Sequence, residues 1–499
     1  MAQVLPFNGF YTDTSQKNSA RTCINYMPMR HDAGSLSEYT LKSTSGITSG
    51  IQKAGLNISG RSFDFQINGL TTEACVPVIS DAGFLFLYSN GPSFIETRTI
   101  NLLSISAPDF AVSTVAMTNN DTAAFVCQSA NAQTLVSYQV SGSTIVTAPA
   151  PAGPKFNDME YLGDRFIYMS SRSSDRGENI RVYYSEILDP TNVGSLNFFS
   201  DLSQTSSNRG IYVDSGRLYL FTSTGYSVWA NSPDVNLPFK IQRGSSGDIG
   251  LSSPAGKVSV GGKLYFIGIE KGAYSFYVLA GGTITNIGND FIKRELESSN
   301  GGVLIAINDS ERTFICIKSV NRVFCYDIST GEYHERVSYN SVTGAPEAWR
   351  VDAHERAQGK SIVFYDNDLG VLVSEFDESI GTEFGDNVYR ECITSPFNSD
   401  GVTNNVRELT FQTDIDYSSL VPTTLPDLSL SASDNFGKTF DSYNATESFD
   451  ADGENTKILR YMNIGFFRQA FVFRLKTDTI YPHKILKMLT RLEKGFRQI

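Results

Sequence analysis

Short apolar runs broken by polar or glycine-bearing turns recur along most of this chain. The clearest lies at residues 311–336, ERTFICIKSVNRVFCYDISTGEYHER. One apolar run covers 313–318, Ser319-Val320-Asn321 turns it, and 322–328 run back. The return ends in Asp327-Ile328-Ser329-Thr330-Gly331, a polar turn with glycine where a positive φ is expected. Residues 332–337 then supply a third strand. Three short antiparallel strands with tight turns make most of a propeller blade.

The same pattern recurs with starts at residues 82, 121, 163, 216, 262, 311 and 359, spaced 39, 42, 53, 46, 49 and 48 apart. Propeller blades repeat at about 40–50 residues. The reading is therefore all-β, with a six- or seven-bladed propeller over 60–384. Closing the ring leaves few strand edges open to aggregation. Two unrelated sandwiches are the competing all-β arrangement. The insertion SSRSSDRGEN at 170–179 carries charge without an apolar anchor and reads as an exposed loop.

The flanks differ. Residues 1–59 read as an N-terminal extended arm lying on another surface, and Pro28 would interrupt a helix or a central strand there. Residues 385–499 read as a C-terminal β-sandwich or barrel, with strands at 407–416, 428–432 and 469–476. The last stretch stays open. Ile485, Leu486, Leu489, Leu492 and Phe496 fit one helix face, yet 485–492 fit a final strand equally well.

Composition supports many short strands: 12% aromatic, 19% charged, with 33 Phe and 24 Tyr. The net charge of −12 predicts a surface that repels nucleic acid. The six cysteines form no CxxC pair and read as reduced buried thiols, although Cys316 and Cys325 lie on successive strands of one hairpin. The first residues lack a basic, apolar signal pattern, and no run of about 18 apolar residues occurs. A soluble protein made in a cytoplasm, with no membrane-spanning segment, is expected.

Candidate chemistry is sparse. Ser433-x-Asn435-x-Gly437-x-Thr439-Phe440 resembles the Asp-box turn of sialidases and other propellers, with asparagine at the aspartate position. Such turns are held by a polar side chain and plugged into the core by an aromatic. This is expected to be a structural turn. A sialidase-like site would also need an arginine cluster and a tyrosine nucleophile, which no spacing isolates. His31, His334, His354 and His483 form no HxxxH or HxH pair, so no metal site is expected. No phosphate-binding glycine loop is present, and no cofactor or catalytic residue is expected. The one basic concentration, Lys484, Lys487, Arg491, Lys494 and Arg497 against Glu493, gives +4 over the last sixteen residues and leaves −16 elsewhere. It is either a solvated face or a docking site for an acidic subunit or partner surface.

In order and length the chain resembles the packaged-DNA stabilisation proteins, the tail hubs or nozzles of short-tailed bacteriophages. The resemblance is carried by Asn25-Tyr26-Met27-Pro28, by STSGI at 43–47, by the strand and turn at 323–330, by the hairpin at 428–440, and by the strand at 471–476. It implies a ring of identical chains, a homo-hexamer, below the portal adaptor in the virion tail. Such a ring retains packaged DNA, conducts it during ejection without sequence-specific binding, and carries tail fibre, spike or needle proteins. It implies binding and plugging, not catalysis. The alternative from the residues alone is a carbohydrate-active or glycan-binding β-propeller, with Trp229 or Trp349 as an aromatic platform.

Overall fold

The computed structural model describes the chain outside residues 1, 6–9, 15–21, 32–38, 54–55, 59–62, 68–70, 81–83, 90–95, 102–110, 118–121, 129–132, 140–143, 152–154, 171–180, 202–205, 235–236, 341, 358–359, 368–369, 399–402, 416–426, 442, 450–455, 468–469 and 495–499. The loop expected at 170–179 and Arg497 thus fall almost wholly or wholly outside the described residues.

Each expected start lies one or two residues before a strand that has a partner strand on either side. Phe84–Ser89, Thr122–Gln128, Arg165–Ser170, Arg217–Thr222, Lys263–Glu270, Arg312–Lys318 and Lys360–Asn367 are those strands, and the described connections into them are turns. Several of these turns are two-residue hairpins with both residues at positive φ. Ser215 and Gly216 (φ 50° and 73°) connect the paired residues Asp214 and Arg217. Gly261 and Gly262 (56° and 71°) connect Val260 and Lys263. Positive φ at both positions matches the twist of the flanking strands, which is why glycine marks these points.

The sheets bury both faces in series. In the sheet of Asn208–Asp214, Arg217–Thr222, Tyr226–Asn231 and Phe239–Ile241, alternate residues part ways. Ile211, Leu218, Leu220 and Trp229 pack on Leu162, Ile167 and Met169 of the preceding sheet. Tyr212, Tyr219 and Phe221 pack on Leu264, Phe266 and Tyr277 of the next. A strand buried on both sides reads as a near-continuous apolar run, as LYLF and LYFI do. First strands also touch in turn. Phe63–Ile67 meets Ala111–Met117, and the contacts continue through Phe156–Leu162, Asn208–Asp214, Ile249–Leu251 with Lys257–Val260, and Val303–Asp309 to Ala353–Ala357. Ala353–Ala357 meets Thr71–Ser80 of the first sheet, so the series closes on itself. This is a β-propeller, and the arrangement as two unrelated sandwiches is ruled out.

Polar groups also bridge the sheets. Lys257 Nζ lies 2.6 Å from Asp158 Oδ2 and donates to the Ile211 carbonyl at 2.6 Å, while the Ile211 amide donates to Asp158 at 2.9 Å. One buried ion pair thereby joins the first strands of three successive sheets.

The N-terminal residues contribute strands to several sheets. Gly46–Ile47 and Ile51–Lys53 pair with Gly370–Asp377 and so extend the last sheet in the series, which Gly46–Ile47 links in parallel to Thr382–Glu383. Thr22–Ile24 pairs in parallel with Tyr333–Asn340 through Ile24 and Glu335, and antiparallel with Arg390–Ile393. That strand fuses the sheet 303–340 with Ala470–Thr477, Asp427–Ser433 and Tyr443–Ser448 into one eleven-stranded sheet. A second sheet runs Tyr26–Arg30, Tyr39–Ser43, His483–Lys494, Asn404–Ile415, Thr456–Phe467. Its Leu409, Phe411, Leu459, Tyr461 and Ile485 share a core with Leu430, Phe473 and Leu475 of the first, which makes a sandwich. Pro28 sits in the edge strand of the second sheet, where a missing N–H costs no ladder bond. The final stretch is strand, not helix. The one α-helix among the described residues, Asp290–Ser298, buries Ile292 and Leu296 and is capped by Asn289, which accepts from the Ile292 amide at 2.9 Å.

A buried polar junction holds the N-terminal segment to the propeller. Arg336 pairs with Asp309, which accepts from the Ser45 hydroxyl and, at 3.3 Å, from the Ser45 amide. Asn25, at φ 53°, donates to the carbonyls of Val337 and Tyr389 at 2.9 and 2.8 Å. Nearby, Glu383 is buried and accepts from the Ser338 hydroxyl. Burial pushes its carboxyl up to about 7 despite that bond and the neighbouring arginines. A carboxyl whose pKa is raised on folding favours the folded state while protonated, so this contribution is lost as pH rises from about 4.5 to about 7. Glu383→Gln is expected to remove that loss, leaving the variant more stable than wild type at pH 8 by up to about 3 kcal/mol. Denaturant melts at pH 5 and pH 8 check it; equal pH slopes in both proteins would refute it.

Candidate docking surface

Strand His483–Lys494 is held on one side by Asn404–Ile415 and on the other by Tyr39–Ser43 and Ala2–Leu5. An irregularity at Leu486 lets Thr413 face Ile485 while Gln412 faces Lys487. That extra residue shifts the alternation. Ile485 before it and Met488 and Thr490 after it all point inward, and Lys484, Lys487 and Arg491 share the outer face. Lys484 and Arg491 are exposed and Lys487 is half-buried. Lys494 is the last residue of the strand, with its side chain outside the described residues, as is Arg497 entirely.

Register places acids among these cations. Asp414 is opposite Lys484 and Glu408 opposite Arg491, and Arg407 Nε lies 2.6 Å from Glu493. Opposite charges on one face of an antiparallel pair offset one another, so the surface is mixed rather than strongly basic. Beyond Asn404–Ile415, the edge strand Thr456–Phe467 presents Ile458, Met462 and Phe466, which are 51, 53 and 70% exposed. Arg460 lies between the first two on the same face. An aligned row of large exposed apolar side chains is the mark of a contact surface, unlike apolar residues scattered singly. The sequence carried this signal. In KILRYMNIGFF apolar residues occupy both alternation phases, although one phase suffices for a half-buried strand.

The Asp-box-like turn is built from its own polar groups. The Ser433 hydroxyl donates to Asn435 Oδ1 at 2.8 Å and accepts from the Gly437 amide at 2.8 Å. Asn435 Oδ1 also accepts the Lys438 and Thr439 amides at 3.0 Å each, and Asn435 Nδ2 donates to Thr439 Oγ1 at 2.9 Å. Phe440 is half-buried, not a core plug, and its ring lies under the Arg474 guanidinium at 4.4 Å. A truncation there costs less than loss of a core ring. Gly437 has φ 70°. Gly437→Val is expected to lower stability by about 1–3 kcal/mol, because a β-branched residue is strained at that angle. An unchanged melting temperature would refute this.

The remaining candidates are dispersed. Trp229 and Trp349 are 6 and 1% exposed, so neither forms an open platform. The histidines bond to separate partners: His31 to Thr40 at 2.9 Å, His354 to Ser361 at 2.6 Å, and His483 to the Tyr26 hydroxyl at 2.7 Å. His334 is buried, which holds its imidazole well below the usual range. Among the described residues no group of three metal-ligating side chains occurs.

A family model described as "Bacteriophage P22 Gp10, beta-propeller", that of the phage stabilisation proteins, matches residues 2–375. The chain belongs to this family. It is therefore a phage structural protein built on a β-propeller, associated with the virion and with a tail or DNA-stabilisation role. No curated protein matches the chain. Among solved structures, an exported protein of Bacteroides fragilis NCTC 9343 shares 10% identity, covering 68% of this chain and 87% of that one, with a TM-score of 0.32. A protein from Lactobacillus plantarum shares 9% identity over 65% and 99%, with a TM-score of 0.34. At such scores neither likeness carries an argument. No helix among the described residues is long and apolar enough to cross a membrane.

Proposed function

We propose that this phage stabilisation protein is the tail hub, or nozzle: a seven-bladed propeller with a fused sandwich, assembled as a homo-hexameric ring below the portal adaptor. The ring retains packaged DNA and conducts it during ejection, and its outer parts carry fibre, spike or needle proteins. The observation that carries the reading is the row Ile458, Met462, Phe466 beside Lys484, Lys487 and Arg491 on one outer sheet face. An apolar centre with a charged margin is how stable protein contacts are built. The net charge of −12 suits a conduit, since DNA carries one negative charge per about 1.7 Å of axis and scattered cations would grip it.

The surface is tested by replacing Ile458, Met462 and Phe466 together with serine. Ring formation by mass photometry, or incorporation into particles, is expected to weaken at least tenfold, with the melting temperature of the isolated chain unchanged. Wild-type assembly by the variant would remove this face from the proposal. A wild-type chain absent from purified particles, or one that binds DNA tightly at physiological salt, would overturn the hub reading itself. Charge reversal of Lys484 and Arg491 is the poorer test, because it sets like charges against Asp414 and Glu408.

A further inference from the structure

Cys316 and Cys325 stand directly opposite each other on the strands Arg312–Lys318 and Val323–Asp327. Both are fully buried, and their sulfurs are 2.7 Å apart. A covalent sulfur–sulfur bond measures about 2.05 Å, so closing the gap needs a shift of less than about 1 Å. The pair is packed among Met27, Ile47, Phe314 and Trp349 where the N-terminal segment meets the propeller. Burial pushes the Cys316 thiol up, and the Arg336 guanidinium acts against that by favouring its thiolate.

A second pair gives the contrast. Cys23 is directly opposite Cys392 in an antiparallel pairing, and both are fully buried. The Cys23 thiol, however, donates to the Tyr26 carbonyl at 3.2 Å. Opposition in register is shared by the two pairs; sulfur facing sulfur belongs to Cys316 and Cys325.

We infer that Cys316 and Cys325 are a cross-strand oxidation site that closes to a disulfide in an oxidising medium, while Cys23 and Cys392 remain thiols. The oxidant is a small disulfide of the glutathione class. One cysteine, as thiolate, attacks the reagent's disulfide, forming a mixed disulfide and expelling one reagent thiolate. The second cysteine thiolate then attacks the protein sulfur of that mixed disulfide and expels the other. Two cysteine thiols and one reagent disulfide become one protein disulfide and two reagent thiols. Two electrons pass to the reagent, and the two cysteine protons end on its thiols. Because the pair is buried, the reagent meets it when the hairpin opens or before the sheets close. Such thiols stay reduced in a cytoplasm and pair outside it.

The full-length chain is incubated with oxidised glutathione, once folded and once through unfolding and refolding. It is then denatured, alkylated and peptide-mapped. The expected result is a joined pair of peptides carrying Cys316 and Cys325, lighter by two hydrogen atoms, with Cys23 and Cys392 alkylated. It should appear slowly in the folded protein, quickly on refolding, and vanish with dithiothreitol. Cys325→Ala should leave Cys316 alkylated under the same treatment. Alkylation of both Cys316 and Cys325 after refolding in the oxidant would overturn the inference. So would preferential joining of Cys23 to Cys392, or Cys316 pairing elsewhere in the wild-type chain.

Discussion

Lys257→Met is expected to destabilise the protein by about 3–5 kcal/mol, the cost of breaking a buried ion pair from one side. The methionine keeps the apolar stem, so the packing loss is small. What it leaves behind is costly. Asp158 remains as a carboxylate 3% exposed, 2.6 Å from a cation that is gone, and the Ile211 carbonyl loses its donor. Because these groups sit on first strands of three successive sheets, the damage spreads along the ring. Chemical denaturation measures it. The double variant Asp158→Asn, Lys257→Met should recover part of the loss, since a neutral amide replaces the buried charge. A single variant within about 1 kcal/mol of wild type would refute the assignment.

Arg336→Met should cost a similar amount, about 3–5 kcal/mol, for a different set of neighbours. Its guanidinium pairs with Asp309 and lies 5.1 Å from the Trp349 ring and 5.3 Å from that of Phe376. Burial alone would raise the Asp309 carboxyl, but Arg336 and the Ser45 bonds outweigh it and hold it below its ordinary value. Removing the arginine reverses that balance, and Ser45, the anchor next to Gly46–Ile47, loses a charged acceptor as Asp309 takes up a proton. The expected signature beyond lost stability is faster proteolytic cleavage near residues 45–53, read by mass spectrometry of timed digests. Ser45→Ala, which removes one hydroxyl, should cost only about 1 kcal/mol. If Arg336→Met unfolds like wild type and is cut no faster, the junction does not hold the segment.

The repeating unit was legible because its determinants are local. Doublets such as Ser215-Gly216 and Gly261-Gly262 announce two-residue hairpins, and runs such as LYLF announce strands buried on both faces. Pairings between distant residues left no such trace. Nothing near Ser45 points to Asp309, and nothing near Ile24 points to Glu335. Ile485–Leu492 stayed open between helix and strand because the irregularity at Leu486 breaks the period-two alternation. The basic strand was visible as composition, but its acidic partners Asp414 and Glu408 belong to another strand and appear only with register. The exposed row Ile458, Met462, Phe466 was marked in the sequence only by apolar residues in both alternation phases of KILRYMNIGFF, a signal that does not tell which phase faces out.

The strand that completes the last sheet comes early in the chain and has consequences for how the molecule is made. Gln52 lies opposite Leu372, some 320 residues later. During synthesis from the N-terminus, residues 46–53 emerge long before their partner exists, while each intermediate sheet can form its local hairpins as it appears. The ring therefore cannot be clasped until about three-quarters of the 499 residues have been made, and loop closure over that span makes this step late and slow. Until then the edge of Gly370–Asp377 is a free template, open to the same segment of a neighbouring nascent chain. Crowded polysomes would then favour exchanged strands between copies, and a lowered translation density would favour each chain closing on itself.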